Sequence, residues 1–63
     1  MQSERLQTRP LAVAPAEAAR LAGIGRTRLY AAIASGDLPS LKLGARRLIK
    51  IADLESWLDR HAA

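Results

Sequence analysis

Residues Ala18 to Ile33, AARLAGIGRTRLYAAI, constrain this chain more than any other stretch. Two short helical patterns flank Gly23-Ile24-Gly25, and a turn of that length holds consecutive helices at a steep angle. Gly23 suits the positive φ that closes a helix. Gly25 can serve as the next N-cap, and Ile24 is expected to be buried at the elbow. The first helix is expected from Pro15 to Ala22. Proline loses no hydrogen bond at a first helical position, and Glu17 complements the helix dipole. Ala14 before it is a weak cap. Ala18, Leu21 and Ala22 fall on one face at helical spacing. The second helix is expected from Arg26 to about Ser35, with Leu29, Ala32 and Ile33 as its inner stripe. Arg26, Thr27, Arg28, Tyr30 and Ala31 then fall on or near the outer side. Gly36 is placed as the residue that ends this helix, Leu38 as its hydrophobic companion, and Pro39 prevents continuation.

Beyond Pro39 the period changes from helical to alternating. Leu41-Lys42-Leu43 and Arg46 to Ile51 are separated by Gly44-Ala45, which predicts a two-residue hairpin compatible with a type II′ turn. A last helix is expected from about Ala52 to His61, with Ile51, Leu54, Trp57 and Leu58 as its apolar face. Leu11 to Ala14 is a short extended lead-in. Met1 to Pro10 is polar and aperiodic, and is expected to be a flexible arm. The predicted fold is mainly α: a small winged helix-turn-helix with three helices and a two-stranded β-hairpin wing. It forms one domain over residues 11–63 behind an arm over 1–10.

Charge is concentrated. The 63 residues hold ten Lys+Arg and six Asp+Glu, a net charge of +4. Between Arg26 and Lys50 the basic residues are Arg26, Arg28, Lys42, Arg46, Arg47 and Lys50, and the single acid is Asp37. The remainder is slightly acidic. A basic face of this kind favours a polyanion, although an arginine-rich solvated surface would produce the same count. The helical pattern decides between these readings. The N-terminus of a recognition helix brings unpaired N–H groups and a positive dipole end near phosphate. Arg26 and Arg28 are long enough for a phosphate or for the O6/N7 edge of guanine. Thr27 can bond a phosphate or touch a thymine methyl, and Tyr30 can offer its hydroxyl to a backbone oxygen. Lys42, Arg46, Arg47 and Lys50 make the wing basic, and Arg46 and Arg47 suit an adjacent minor groove or its phosphates. Arg5 and Arg9 on the arm have charge as their only recommendation for a DNA contact.

Other classes fit poorly. With no cysteine and a single histidine, neither a disulfide nor a metal site is expected, and no cofactor. His61 is placed instead as a favourable cation near a helix C-terminus. Trp57 is expected in the core. Two aromatics, Tyr30 and Trp57, are too few for a platform that stacks single-stranded bases. There is no Gly-rich phosphate loop, and Ser40 or Ser56 would meet His61 and Asp59 as a triad only by coincidence, so no enzyme is expected. No apolar run is long enough for a bilayer and no secretory signal pattern opens the chain. The expected location is the cytoplasm, associated with the nucleoid.

The stretch from Leu11 to Leu58 resembles the excisionase-like, MerR-related winged helix-turn-helix family. The resemblance is carried by Glu17-Ala18-Ala19, Leu21, Gly23-Ile24, Arg26, Leu29-Tyr30 and Ile33. It continues through Gly36-Asp37-Leu38-Pro39, Lys42-Leu43-Gly44, Arg46-Arg47, Ile49 and Asp53-Leu54-Glu55-Ser56-Trp57-Leu58. It implies a small double-stranded-DNA-binding accessory protein of a mobile element. One such type is an excisionase, or recombination directionality factor, that loads beside neighbouring copies of itself, bends DNA and helps a site-specific integrase. Another is an AlpA-like transcriptional regulator. By resemblance Arg26, Thr27, Arg28 and Tyr30 take the major-groove role, and Arg46 and Arg47 the wing role. The chain departs from the pattern at Gly25, where a hydroxyl cap is usual, and at Ala31 and Ala45, where basic residues are frequent. Fewer contacts per monomer would follow, hence weak single-site binding. From a different class, an adaptor whose basic face meets an acidic protein remains the competing expectation.

Overall fold

The computed structural model describes residues 10–62. The expected arm therefore lies, apart from Pro10, outside the described residues. In chain order the elements are β1 (Ala12–Val13), α1 (Pro15–Ala22), α2 (Arg26–Ser35), β2 (Leu41–Leu43), β3 (Arg46–Lys50) and α3 (Ile51–His61).

Glycine sets the helix ends. Gly23 at φ 73° closes α1: its N–H donates to the Arg20 carbonyl and that of Ile24 to the Ala19 carbonyl. This double bond to the last turn satisfies carbonyls that would otherwise be orphaned. Gly36 at φ 83° closes α2. There the Gly36 N–H reaches the Ile33 carbonyl and the Leu38 N–H the Ala32 carbonyl, which folds Leu38 back into the core. Ser35 completes the cap. Its hydroxyl donates to the Ala32 carbonyl and accepts from the Asp37 N–H.

The hairpin forms in the expected register, with Leu43 opposite Arg46, Lys42 opposite Arg47 and Leu41 opposite Leu48. Gly44 has the positive φ, 63°, that the first loop position of a primed turn requires. The lead-in does more than the alternation pattern could show. Ala12 and Val13 pair antiparallel with Lys50 and Ile49, so the sheet has three strands in the order β1-β3-β2. The Ile51 N–H extends this pairing onto the Leu11 carbonyl. A pair of residues has no period to read, but β3 has a second edge that must find partners.

Every element except β2 contributes to one core. Val13, Ala18, Ala19, Leu29, Leu38, Ile49, Leu54 and Trp57 are buried, with Ala22, Ile24, Ala32, Ile33 and Ile51 packed around them. Ala18 and Ala19 are both fully enclosed, which lets the neighbouring elements approach the α1 backbone closely. Two expected inner residues lie elsewhere. Leu21 is 50% exposed, because the buried stripe of α1 runs through Pro15, Ala18 and Ala19, with Ala22 half-buried, and leaves Leu21 on its flank. Leu58 is 36% exposed at the edge of the α3 stripe led by Leu54 and Trp57. Helix α3 also starts at Ile51, one residue before the expected position. No helix among the described residues is long and apolar enough to cross a membrane.

Candidate nucleic-acid interface

Helix α2 starts from Gly25, an extended residue (φ −72°, ψ 153°) that offers no side chain to cap it. No acid lies in its first turn. The leading N–H groups and the positive end of the dipole therefore keep no carboxylate of their own. Arg26, Thr27 and Arg28 are exposed around this end, and Tyr30 is exposed one turn on. Leu29 between them is fully buried. Leu29 thus anchors the helix in the core, with Ala32 and Ile33 half-buried behind it, while Arg28 and Tyr30 on either side face outward.

The wing's pleat divides its four basic residues. Successive side chains on a strand alternate between faces, and Ile49 of β3 points into the core. Arg47 therefore shares the side of the sheet on which the helices pack, together with Lys42, its cross-strand partner. Arg46 and Lys50 share the opposite side with Leu41, Leu43 and Leu48. The sequence pattern reads as one basic hairpin, with Lys42 on one arm and Arg46, Arg47 and Lys50 around the tip and return arm. The structure brings Lys42 and Arg47 together and sets Arg46 and Lys50 behind them.

In a hairpin closed by a two-residue loop, the second cross-strand pair is the close, non-hydrogen-bonded kind. Lys42 and Arg47 form that pair, and like charges directly opposite each other repel. Arg47 turns its guanidinium aside and donates from Nη1 to Ser40 Oγ at 2.7 Å. Among the described residues no carboxylate pairs with Arg26, Arg28, Lys42, Arg46, Arg47 or Lys50. Their charge is therefore left for an external anion to neutralise.

The acid in the middle of this basic window is engaged elsewhere. Asp37 Oδ2 accepts from Trp57 Nε1 at 2.7 Å and shares a hydrogen bond of 2.7 Å with His61 Nε2. Its main-chain carbonyl accepts from Arg60 Nη2 at 2.6 Å, and the same guanidinium lies 3.6 Å from Oδ1. The hydrogen bond from His61, and then that from Trp57, hold the Asp37 carboxyl below its ordinary value. Sequence reading gave Asp37 no part, because its partners lie 20 to 24 residues away and no local pattern joins them. Trp57 is in the core, as its spacing predicts, and its indole N–H supplies the polar handle that a buried tryptophan needs. His61 is at the C-terminus of α3, where its position is favourable for a cation. Among the described residues no group of three His, Cys, Asp or Glu side chains could hold a metal ion.

A family model described as a helix-turn-helix domain matches residues 15–62. No curated protein and no solved structure matches the chain.

Proposed function

The chain belongs to the helix-turn-helix domain family, and on that premise we propose that it is an architectural double-stranded-DNA-binding protein of the excisionase type. Membership of the family itself suggests sequence-specific DNA binding. The observation that carries the reading is the unneutralised charge of two neighbouring structural features. Helix α2 opens without a cap or an acid between Arg26 and Arg28, and the hairpin next in the chain carries Lys42, Arg46, Arg47 and Lys50.

In this proposal Arg26, Thr27, Arg28 and Tyr30 enter the major groove. Bidentate contacts of an arginine to guanine supply base preference. Lys42 and Arg47 lie along the adjacent backbone or minor groove, and Arg46 and Lys50 reach its far wall. Phosphate held between Lys42 and Arg47 would relieve their mutual repulsion, so binding would also stabilise the wing. The order of motifs from Gly36-Asp37-Leu38-Pro39 through Asp53-Leu54-Glu55-Ser56-Trp57-Leu58 fits an excisionase and an AlpA-like regulator alike; the excisionase role is the one proposed, with the regulator as its alternative. Neighbouring copies of the chain on DNA and a site-specific integrase are its proposed partners. Residues 11–63 form the proposed binding domain.

Footprinting on the DNA around the gene and any nearby attachment site tests this. Protected repeats about one helical turn apart, filled cooperatively and required for excision with the integrase present, are the expected result. One independent, tight site at a promoter would instead favour a regulator. No protection at any concentration would leave the adaptor reading.

A further inference from the structure

Helix α2 runs its backbone chiefly against α1, so its aim depends on what fixes its far end. Besides the buried Leu38 and the helix cap, one residue ties that end to α3. Asp37 follows the helix-closing Gly36 and offers three acceptor oxygens to the last two turns of α3. Trp57, Arg60 and His61 sit at helical spacing on the face turned toward it, and the rings of Trp57 and His61 lie 5.4 Å apart. Behind Asp37, Leu38 is buried and its N–H is bonded to the Ala32 carbonyl. While these bonds are kept, the Asp37 carboxylate and carbonyl tie the end of α2 to α3.

We infer that Asp37 is a positioning residue for DNA recognition, a clip that sets the angle of α2 against α3 without touching DNA itself. This rests on the DNA reading above. The lever is long. A helix of ten residues spans about 15 Å, so a tilt of about 10° at its C-terminal end swings the other end by roughly 2–3 Å. Hydrogen bonds to base edges tolerate only donor–acceptor distances of about 2.7–3.2 Å. A loosened clip therefore costs base-specific contacts at Arg26 and Arg28. It costs much less in phosphate attraction, which falls off slowly with distance. The side chain of Asp37 is 45% exposed, so replacing it opens no cavity in the core.

The test compares wild type, Asp37→Leu and Asp37→Asn. Each is measured on the duplex that the wild-type chain enriches from a randomised pool and on a duplex of mixed sequence. Circular dichroism first establishes that each variant is folded at the working temperature. Asp37→Leu, whose side chain has no acceptor, is expected to bind the enriched duplex about tenfold more weakly or worse, the loss of one base contact. Its affinity for mixed sequence should stay within about twofold. Asp37→Asn keeps an oxygen that both Trp57 and His61 can use, and should restore the enriched-duplex affinity to within about threefold of wild type.

A second readout needs no DNA. Trp57 is the chain's single tryptophan, so its indole N–H gives one NMR resonance. That proton should exchange slowly in wild type and Asp37→Asn and quickly in Asp37→Leu. If Asp37→Leu binds the enriched duplex as tightly as wild type, or loses both duplexes equally, the inference is overturned while the DNA reading stands. A wild-type chain that enriches no sequence overturns both. An indole proton equally protected in Asp37→Leu shows that no clip exists.

Discussion

Asp37 is the acid that interrupts the basic stretch from Arg26 to Lys50, and three side chains of α3 engage it. That arrangement engages its carboxylate and main-chain carbonyl within the molecule. It also makes the clip sensitive to acid. The folded-state value of Asp37 is lowered from 3.8, so the stabilisation it brings is complete above that value. It is lost as the pH falls through the lower, folded-state value. Thermal melts of wild type and Asp37→Asn, followed by circular dichroism between about pH 7 and about pH 2, should show a gap in Tm that narrows at the acid end. A gap of constant width would mean that the charge of Asp37 does nothing for the fold. Glu17 behaves similarly on a smaller stage: hydrogen bonding from Arg20 lowers its value. That pair lies on the surface of α1, where such bridges contribute little.

Helix boundaries were the most legible part of the chain, because glycines mark them. The bounds of α1 and α2 follow from Pro15, Gly23, Gly25 and Gly36, and the hairpin from Gly44. The conformations explain why: Gly23, Gly36 and Gly44 have positive φ, which side chains with a Cβ adopt only under strain. A Cβ at Gly36 would meet nothing within 4 Å. Gly36→Ala should therefore cost only the backbone term, about 1 kcal/mol, and chemical denaturation would measure it. A loss several times larger would mean that the cap carries more than its own backbone.

What stayed illegible had its causes outside the local pattern. Strand β1 is two residues long and exists because β3 offers it an edge. Leu21 and Leu58 satisfy helical spacing, yet each lies at the rim of its stripe, where small differences in packing angle decide burial. Lys42, Arg46, Arg47 and Lys50 read as one patch, and the pleat splits them between two faces. The partners of Asp37 are too distant in sequence for any spacing rule to connect.

The molecule as a whole has little to spare. A chain near 60 residues buries only about 60% of its unfolded surface, and this one has no disulfide to compensate. Among the described residues few hydrophobic side chains are buried, and Leu29, Leu38 and Ile49 are the largest that are fully enclosed. Leu29→Ala should therefore cost roughly 2–5 kcal/mol and leave much of the population unfolded at physiological temperature, as a circular dichroism melt would reveal. If this variant kept a wild-type Tm while losing DNA affinity, Leu29 would be a contact residue rather than the anchor of α2. The same economy explains the outward-facing charge. A helix held by one buried leucine, a cap and a clip leaves Arg26, Thr27, Arg28 and Tyr30 free for a ligand.

The central claim is that the start of α2 and the wing grip one duplex together. The salt dependence of duplex affinity tests it most directly, measured for wild type, Arg28→Ala and Arg47→Ala by fluorescence anisotropy. If about five phosphates are neutralised, log K should fall against log salt with a slope of roughly −4 to −5. Arg47→Ala should reduce the magnitude of that slope by about one, the loss of one phosphate contact, and Arg28→Ala should weaken binding to the enriched duplex about tenfold, the loss of one base contact. A flat response in the wild type, or either variant keeping both wild-type affinity and wild-type slope, would contradict the two-point grip.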